Sequence, residues 1–372
     1  MTIVVDFIRK GNEHHVFNYE TILAIESLDI DVSYYLDDNA SALSAIKNKD
    51  KVKKVIIKKN KFYFWVTSTL LLLKVLFFGN KDKSPVVLLS ATPLQYLLCS
   101  LISNLLKYKI IIFMHGELGY ISAPKGLGQK IGKFFLLKAF KYRSFVKFVA
   151  INEYIYGRLL GLEFDASFYS IEHPLQRIDD LYLEGRNRGD GKITIGAFGI
   201  QSKEKNSQLI YELAHKMNSS IFEKIKLVTV GVTNGSFDYD KSIYVEHLCR
   251  GHLNSSLIPK DEFMNNVNYL DFAIFFNGEG NNYDLIPSGV FSDCISLSLP
   301  IIALSNPQVE FFFNKHGEAG ILCKDVDDMA DAIHSLAELP EEIHKYKNKM
   351  AEIKKSYTPK KYALTLGKIL YD

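Results

Sequence analysis

The chain has 372 residues, 47% of them hydrophobic, which is enough for two α/β domains with large cores. Its net charge is only +3, and its four cysteines lack the spacing of a metal site or a disulfide framework. This excludes a disulfide-stapled scaffold and predicts isolated core thiols in a reducing cytosol, at Cys99, Cys249, Cys294 and Cys323.

The charge is unevenly placed along the chain. Residues 1–150 hold 22 basic and 11 acidic side chains, a net +11, whereas the remaining residues hold 23 and 31, a net −8. A basic N-terminal half predicts an anionic partner. Because no stacking or helix-turn-helix signature indicates nucleic acid, we predict an anionic membrane surface as the partner and no nucleic acid.

The chain begins with a predicted strand, Ile3 to Phe7, which we interpret as part of the fold and not as a secretory signal. The loop after it carries His14, His15 and Asn18 and leads into a helical run. Residues 55–57 predict a short strand between solvated lysines. The apolar run at 62–78 contains Lys74 and is shorter than the roughly 20 residues of a spanning helix, so we predict a buried or interfacial helix.

The next elements predict a parallel sheet. An apolar strand at 86–90 precedes a helix that begins near Thr92-Pro93, and a strand at 109–114 then delivers His115 and Glu117 at its carboxyl end. Ligands of open α/β sheets bind at that end, so both side chains are candidates for chemistry, with Glu117 as a possible base. The alternative is a turn in which they have a capping role.

Residues 125–147 predict a basic amphipathic helix of the kind that lies on anionic membranes. Its charge is assigned to Lys130, Lys133, Lys141, Arg143 and Lys147. The alternative is a domain helix with a solvated lysine face. A strand at 168–174, which contains His173, then leads into the Gly-rich polar stretch 176–191, the predicted linker.

The second half begins with a strand that ends at Gly199 and is followed by Lys203 and Lys205. Further on, residues 277–304 read NGEGNNYDLIPSGVFSDCISLSLPIIAL, which predicts a loop, a helix opening at Ser288-Gly289, and a strand. A small-residue turn that opens a helix presents free N–H groups to a phosphate. Asp293, one turn into the helix, suits a ribose diol. The alternative is an ordinary strand–loop–helix–strand unit.

This stretch resembles the nucleotide-sugar glycosyltransferases of the GT-B fold, close to the family-4 type of bacterial polysaccharide biosynthesis. Aligned on Pro300-Ile301-Ile302, Asp293 falls where these enzymes have the second glutamate of their motif, and Leu285 replaces the first. The resemblance implies an α/β fold with two Rossmann-like domains facing a cleft and a C-terminal helix crossing back to the first domain. The implied domains are 1–175 with 359–372, which bind acceptor and membrane, and 192–358, which bind the donor.

The resemblance also implies roles for particular residues. His115 and Glu117 are the predicted catalytic pair. The acceptor-side residues are His14, His15, Asn18 and His173. The donor-binding residues are Gly199, Lys205, Glu279, Ser288, Gly289 and Asp293, with Lys203 as the alternative cation.

We therefore expect a cytoplasmic, peripheral inner-membrane enzyme that moves a sugar from a nucleotide-diphosphate sugar to a glycan. The expected acceptor is lipid-linked, in lipopolysaccharide or capsule synthesis, and we expect neither metal nor cofactor. Asp325 to Asp328 superficially resemble a metal-binding Asp-x-Asp, but Asp325 is better interpreted as a helix N-cap. The alternatives are a nucleotide-sugar epimerase of the same fold and a non-catalytic GT-B-like binding protein.

Overall fold

The computed structural model describes residues 1–8, 14–55, 61–80, 82–178, 191–239, 242–248, 251–253, 258–278 and 282–371. The chain divides into two compact units. Unit 1 comprises Met1–Leu175, Asn282–Pro287 and Tyr357–Asp372. Unit 2 comprises Gln176–Asn281 and Ser288–Ser356.

Unit 1 is built on a parallel sheet in the order β3-β2-β1-β4-β5-β6-β7. The strands are β1 (Thr2–Asp6), β2 (Val32–Asp37), β3 (Val52–Val55), β4 (Val86–Leu88), β5 (Ile110–Met114), β6 (Val146–Ala150) and β7 (Ser167–Ser170). The central strands β1, β5 and β6 are predominantly apolar and buried along their whole length, as is typical of parallel sheets covered by helices.

Helices cover both faces of this sheet. They are α1 (His15–Glu26), α2 (Lys61–Lys74, continued by a π-helical turn at Val75–Gly79), α3 (Pro93–Leu106), α4 (Gly119–Ser122), α5 (Gly126–Lys141) and α6 (Glu153–Leu160). Helices α2, α3, α5 and α6 share one core with the sheet, and α1 lies on the opposite face. Helix α3 begins as predicted, because Thr92 and Gln95 form a capping box in front of Pro93.

Unit 2 repeats the arrangement, with a parallel sheet in the order β10-β9-β8-β11-β12-β13. Its strands are β8 (Ile193–Phe198), β9 (Ile225–Val230), β10 (Val245–Leu248), β11 (Phe272–Phe275), β12 (Ile301–Leu304) and β13 (Gly320–Cys323). Its helices are α7 (Leu209–Lys216), α8 (Lys260–Asn268), α9 (Gly289–Ser296), α10 (Pro307–His316), α11 (Val326–Glu338) and α12 (Glu342–Ser356). The expected α/β architecture with two Rossmann-like domains is therefore confirmed.

The last helix, α13 (Pro359–Tyr371), packs in unit 1 beside α1, which confirms the predicted return to the first domain. The hydroxyls of Thr21 and Tyr362 lie 2.8 Å apart between the two helices. Lys147 donates from Nζ to the Ile369 carbonyl at 2.7 Å and is only 6% exposed. The assignment of Lys147 to a basic helix is therefore wrong, because the residue lies in β6 and caps the end of α13.

A second difference concerns the edge of the first sheet. The strand expected at 55–57 lies earlier, at Val52–Val55, and residues 56–60 lie outside the described part of the chain. Strand β3 is the sheet's edge, so Lys53 and Lys54 point to solvent without breaking a core. The two adjacent lysines in the middle of this short strand hide it from a search for apolar runs.

The segment Asn282–Pro287 lies in unit 1, although it falls inside the stretch expected to form the second domain. Leu285 is 4% exposed and belongs to the core shared by α3 and α5. The carboxylate of Asp284 accepts a hydrogen bond from the Tyr154 hydroxyl and pairs with Arg158 at 3.2 Å. Leu285, which stands where the resemblance would place a glutamate, thus anchors this segment.

Candidate functional site

The carboxyl edge of the first sheet carries a buried polar cluster. Asp6, at the end of β1, is 2% exposed and accepts hydrogen bonds from three groups. The donors are the Ile8 backbone N–H at 3.0 Å, Asn18 Nδ2 at 2.7 Å and Ser90 Oγ at 2.7 Å. Hydrogen-bond donors of this kind stabilise a buried carboxylate, so the cluster fixes the start of the loop after β1.

His115 lies at the same edge, directly after β5. It is 4% exposed, and its Nε2 lies 2.8 Å from the Leu89 carbonyl oxygen. The His14 ring lies 4.4 Å from the His115 ring, and the Phe17 ring lies 4.8 Å away, edge-on. Phe17 also contacts His173 at 5.6 Å between ring centroids. The structure therefore gathers three of the predicted histidines, His14, His115 and His173, into one cluster with Phe17.

The predicted residue His15 faces elsewhere. Its Nδ1 lies 2.7 Å from Ser41 Oγ, and its ring packs beside Tyr19. Because α1 begins between His14 and His15, the two side chains leave the helix start in different directions. Whether His15 contacts an acceptor stays a prediction.

The carboxylate of Glu117 accepts hydrogen bonds from α3 and from its own turn. Its Oε1 accepts a hydrogen bond from the Tyr96 hydroxyl and another, at 2.8 Å, from the His115 backbone N–H. The residue is 8% exposed. These contacts position the turn that carries His115, and the proposed role of Glu117 as a base stays a prediction.

His173 is a neutral imidazole at neutral pH. Burial lowers its pKa to about 4, although the Pro174 carbonyl, 2.8 Å from Nδ1, partly offsets that effect. A neutral imidazole both donates and accepts a hydrogen bond, as the recognition of a sugar hydroxyl requires.

In unit 2, the turn after β8 and the turn after β9 approach each other closely at two glycines. Gly199 has φ +93°, and a Cβ built on Gly231 would lie 2.1 Å from the Gly199 oxygen, so only glycine fits there. A Cβ on Gly199 would lie 3.0 Å from Val290 Cγ2, which shows that this turn lies against the start of α9. Two of the predicted donor elements are therefore adjacent.

Lys205 follows this turn on a short 3₁₀ helix, Lys203–Lys205. The Ser202 hydroxyl caps that helix by accepting from the Lys205 N–H at 3.3 Å. Asn206 donates from Nδ2 to the Phe276 carbonyl at 3.0 Å, which ties the turn to the end of β11. Lys205 is half-buried, and desolvation lowers its pKa to about 8, so it remains mostly charged at neutral pH. Lys203, the alternative, is exposed.

The start of α9 completes this edge of the second sheet. Ser288 is the N-cap, its side chain makes no capping hydrogen bond, and Gly289 is the first helical residue. Asp293 lies one turn further along and is partly exposed. The predicted donor residue Glu279 lies outside the described residues.

Asp325 is the N-cap of α11, as predicted, and its Oδ1 accepts from the Asp328 N–H at 2.9 Å. Within the described ranges no group of three or more metal-ligating side chains is close enough to hold an ion. Cys99, Cys294 and Cys323 are buried and free, as expected, and burial raises the pKa of the Cys99 thiol to about 12. Cys249 lies outside the described residues.

Sequence reasoning did not single out Asp6, Ser90 or Phe17. Asp6 is a polar residue at the end of a buried strand and Ser90 lies two residues after the next strand of the sheet, and those positions were the available signal. Their contact joins positions 84 residues apart, which only the strand order β1-β4 reveals. Phe17 carried no such signal, because it has the pattern of an ordinary core residue.

No protein-family model matches the sequence, and no curated protein is similar to it. Solved structures are similar in fold. Anabaena HepE, in complex with UDP and glucose, has a TM-score of 0.67 at 11% identity, over 100% of this chain and 99% of its own. WaaG, a glycosyltransferase involved in lipopolysaccharide biosynthesis, has a TM-score of 0.63 at 10% identity, over 97% and 98%. The chain has the GT-B fold.

A further GT-B structure, an α,α-trehalose-phosphate synthase (UDP-forming) from Burkholderia vietnamiensis, has a TM-score of 0.65 at 9% identity, over 99% and 98% of the two chains. At such identities the likeness establishes the GT-B fold alone. Within that fold, the two clusters described above each occupy the carboxyl edge of one parallel sheet, which is where open α/β sheets bind ligands.

Proposed function

We propose that this protein is a glycosyltransferase that moves a sugar from a nucleotide-diphosphate sugar to a glycan. The observation that carries the proposal is the edge of the second GT-B sheet. There the Gly199 turn lies against the start of α9, and a half-buried Lys205 follows it. Free N–H groups, a helix N-terminus and a desolvated cation are what a diphosphate requires.

The donor roles follow from chemistry and position. Lys205 neutralises the diphosphate, and the backbone at Gly199, Ser288 and Gly289 approaches it closely. Asp293 accepts from the ribose diol, and Glu279 contacts the donor sugar. The positive groups also stabilise the diphosphate as it leaves and its charge develops, without a metal ion.

We propose that unit 1 binds the acceptor. His115 contacts the reacting sugar, and His14, His15, Asn18 and His173 form the acceptor side. Glu117 acts as the base or, through its hydrogen bond to the backbone of His115, holds the histidine turn in place. The acceptor of this proposal is a lipid-linked glycan of a bacterial surface polysaccharide.

The proposal includes peripheral binding to an anionic inner membrane. Helices α2, α3 and α5 cover one face of the first sheet and expose large apolar side chains: Trp65 46%, Leu70 59%, Phe78 75%, Leu105 72%, Leu127 75% and Phe134 54%. Residues 125–143 carry six basic and no acidic side chains. Exposed apolar groups beside clustered cations fit the headgroup region of an anionic bilayer. Among the described helices, none has the length and hydropathy needed to cross a membrane.

The test is a transfer assay with the full chain. Purified protein is incubated with UDP-, GDP- and TDP-sugars and a bacterial membrane lipid extract, and mass spectrometry follows lipid-linked glycans. The proposal expects a mass gain of one glycosyl residue that needs both donor and extract. Interconversion of the donor sugar without any acceptor would indicate the epimerase instead. If a nucleotide binds but no donor gives either a transferred or an interconverted sugar, the protein is a non-catalytic binding protein and the proposal is contradicted.

A further inference from the structure

The side-chain oxygen of Asn18, Oδ1, has no hydrogen-bond partner among the described residues. This atom is closed to solvent. The residue as a whole is only 5% exposed. Buried polar atoms in folded proteins almost always have a partner. An orphan acceptor at the ligand-binding edge of a parallel sheet therefore indicates where an external hydrogen-bond donor belongs.

Asp6 prevents the Asn18 amide from turning over. Asn18 Nδ2 donates to Asp6 Oδ2 at 2.7 Å, while Asp6 Oδ1 accepts from Ser90 Oγ and the Ile8 N–H. An ionised carboxylate only accepts hydrogen bonds, so the amide must present its NH₂ group to Asp6. The orientation of Asn18 is thus fixed by chemistry, and its oxygen faces away from the carboxylate.

We propose that Asp6 is a positioning residue, which holds Asn18 so that Oδ1 accepts a hydrogen bond from a hydroxyl of a sugar acceptor. An amide oxygen can only accept a hydrogen bond, and a sugar hydroxyl supplies the donor that Asn18 Oδ1 lacks. The rings of His14, Phe17 and His115 lie at the same edge. This inference rests on the proposed function, because it takes unit 1 as the acceptor-binding unit.

The direct test is binding of a simple sugar to the full chain. Methyl glycosides of glucose, galactose and N-acetylglucosamine are titrated and followed by saturation-transfer NMR. We expect at least one to bind the wild type, and Asn18→Ala and Asp6→Asn each to weaken it about tenfold, the effect of one hydrogen bond in a buried site. In Asp6→Asn, Asn18 is retained but its amide is free to turn over.

Thr21→Ala is the matched control. It removes another buried hydrogen bond of α1, to the Tyr362 hydroxyl, and should keep the wild-type affinity for the glycoside. If Asn18→Ala fails to fold, the milder Ser90→Ala, which removes one support of Asp6, serves instead and should weaken binding by a smaller factor. With a transferred acceptor, the variants should raise KM for the acceptor and leave kcat and the KM for the donor unchanged.

Equal glycoside affinity in the wild type and the Asn18 and Asp6 variants would overturn the inference, as would no glycoside binding to the wild type. UDP, GDP and TDP are titrated into the same samples. If a nucleotide binds normally and Asn18→Ala leaves the glycoside affinity unchanged, the hydroxyl site alone is rejected. If glycoside binding depends on Asn18 and none of the three nucleotides binds, the donor site is rejected and the hydroxyl site is retained.

Discussion

At the scale of single residues, Lys205 combines burial with a positive charge. Its turn is tied to the end of β11 through Asn206, so the ammonium group is held at the edge of the sheet and is partly removed from water. Desolvation lowers its pKa to about 8, which places its titration just above neutral pH. A bound diphosphate would favour the charged form and would in turn be held by it.

This pKa predicts a pH-dependent affinity for the donor. As pH rises from 7 to 9.5, Lys205 loses its proton in the free protein, and the affinity for UDP-glucose should fall by about tenfold or more, the value of a charge-assisted hydrogen bond. Lys205→Arg keeps the charge and should flatten the profile. Isothermal titration calorimetry at several pH values measures both. A wild-type affinity that is constant over this range would show that Lys205 does not bind the diphosphate.

At the scale of elements, the end of α13 is held by cations from the first sheet. Lys147 in β6 donates to the Ile369 carbonyl at 2.7 Å, and Lys109 donates to the Leu370 carbonyl at 3.3 Å. The last carbonyls of a helix lack partners within the helix, and its C-terminal end favours positive charge. These contacts hold the chain's last helix on unit 1.

Lys147→Met should therefore destabilise the protein by about 1.5–3 kcal/mol, because the Ile369 carbonyl loses a charge-assisted donor. Urea denaturation followed by circular dichroism measures the free energy of unfolding. Lys109→Met is the matched control and should cost less, since its contact is longer and the residue is only half-buried. Equal costs for the two variants would argue against a special role for the buried ammonium group.

Helix α5 gives the second prediction at this scale. Lys133 is left unchanged in the variant that tests membrane binding, because its ammonium group already donates to the Ile121 carbonyl at 2.6 Å. Replacing four exposed cations by glutamine should weaken binding to phosphatidylglycerol vesicles by at least about tenfold at 0.1 M salt, since each contributes roughly 1 kcal/mol near the surface. The replaced residues are Lys130, Lys138 and Lys141 in α5 and Arg143, which lies just after the helix and not within it as predicted.

The matched control replaces four lysines of unit 2, Lys203, Lys324, Lys354 and Lys355. It changes the net charge equally and should leave vesicle binding unchanged. Binding of the wild type should also weaken as salt rises from about 0.1 M to 1 M, because the Debye length falls from about 10 Å to 3 Å. If both quadruple variants bind vesicles equally weakly, the total charge governs binding, and not the cations beside the apolar face of α2, α3 and α5.

Local signals were sufficient to predict most of these elements. Helix α3 begins at Thr92-Pro93 and α13 spans Pro359–Tyr371 as expected, because prolines and caps act within one turn. The sequence could not show that Lys147 is buried, since its partner lies 222 residues away. For the same reason it did not reveal the contact between Asp6 and Ser90.

At the scale of the whole molecule, the two units divide the charge and the proposed tasks. Unit 1 contains the basic, apolar-faced helices and the histidine cluster, and unit 2 contains the glycine turn, Lys205 and helix start that we propose bind the donor diphosphate. The fold and the order of its elements could be predicted from the alternation of strand and helix patterns in the sequence. The packing of Asn282–Pro287 in unit 1 could not be predicted, because a six-residue segment carries no sign of which core it joins.

The proposed chemistry predicts turnover without a divalent cation. The aspartate motif at 325–328 caps α11, and Lys205 with the start of α9 supplies the positive charge for the leaving diphosphate. Transfer should therefore keep at least about half its rate after exhaustive EDTA treatment, measured in the transfer assay. Loss of activity that magnesium or manganese restores would contradict this prediction.

The central claim is that the carboxyl edge of unit 2 binds a nucleotide-diphosphate sugar through Lys205. The most direct measurement is calorimetric titration of UDP-, GDP- and TDP-sugars into the wild type, Lys205→Ala and, as control, Lys203→Ala, at pH 7. The account predicts that at least one donor binds the wild type and Lys203→Ala alike and binds Lys205→Ala about tenfold or more weakly. Binding of no donor to the wild type, or equal binding to all three proteins, would contradict it.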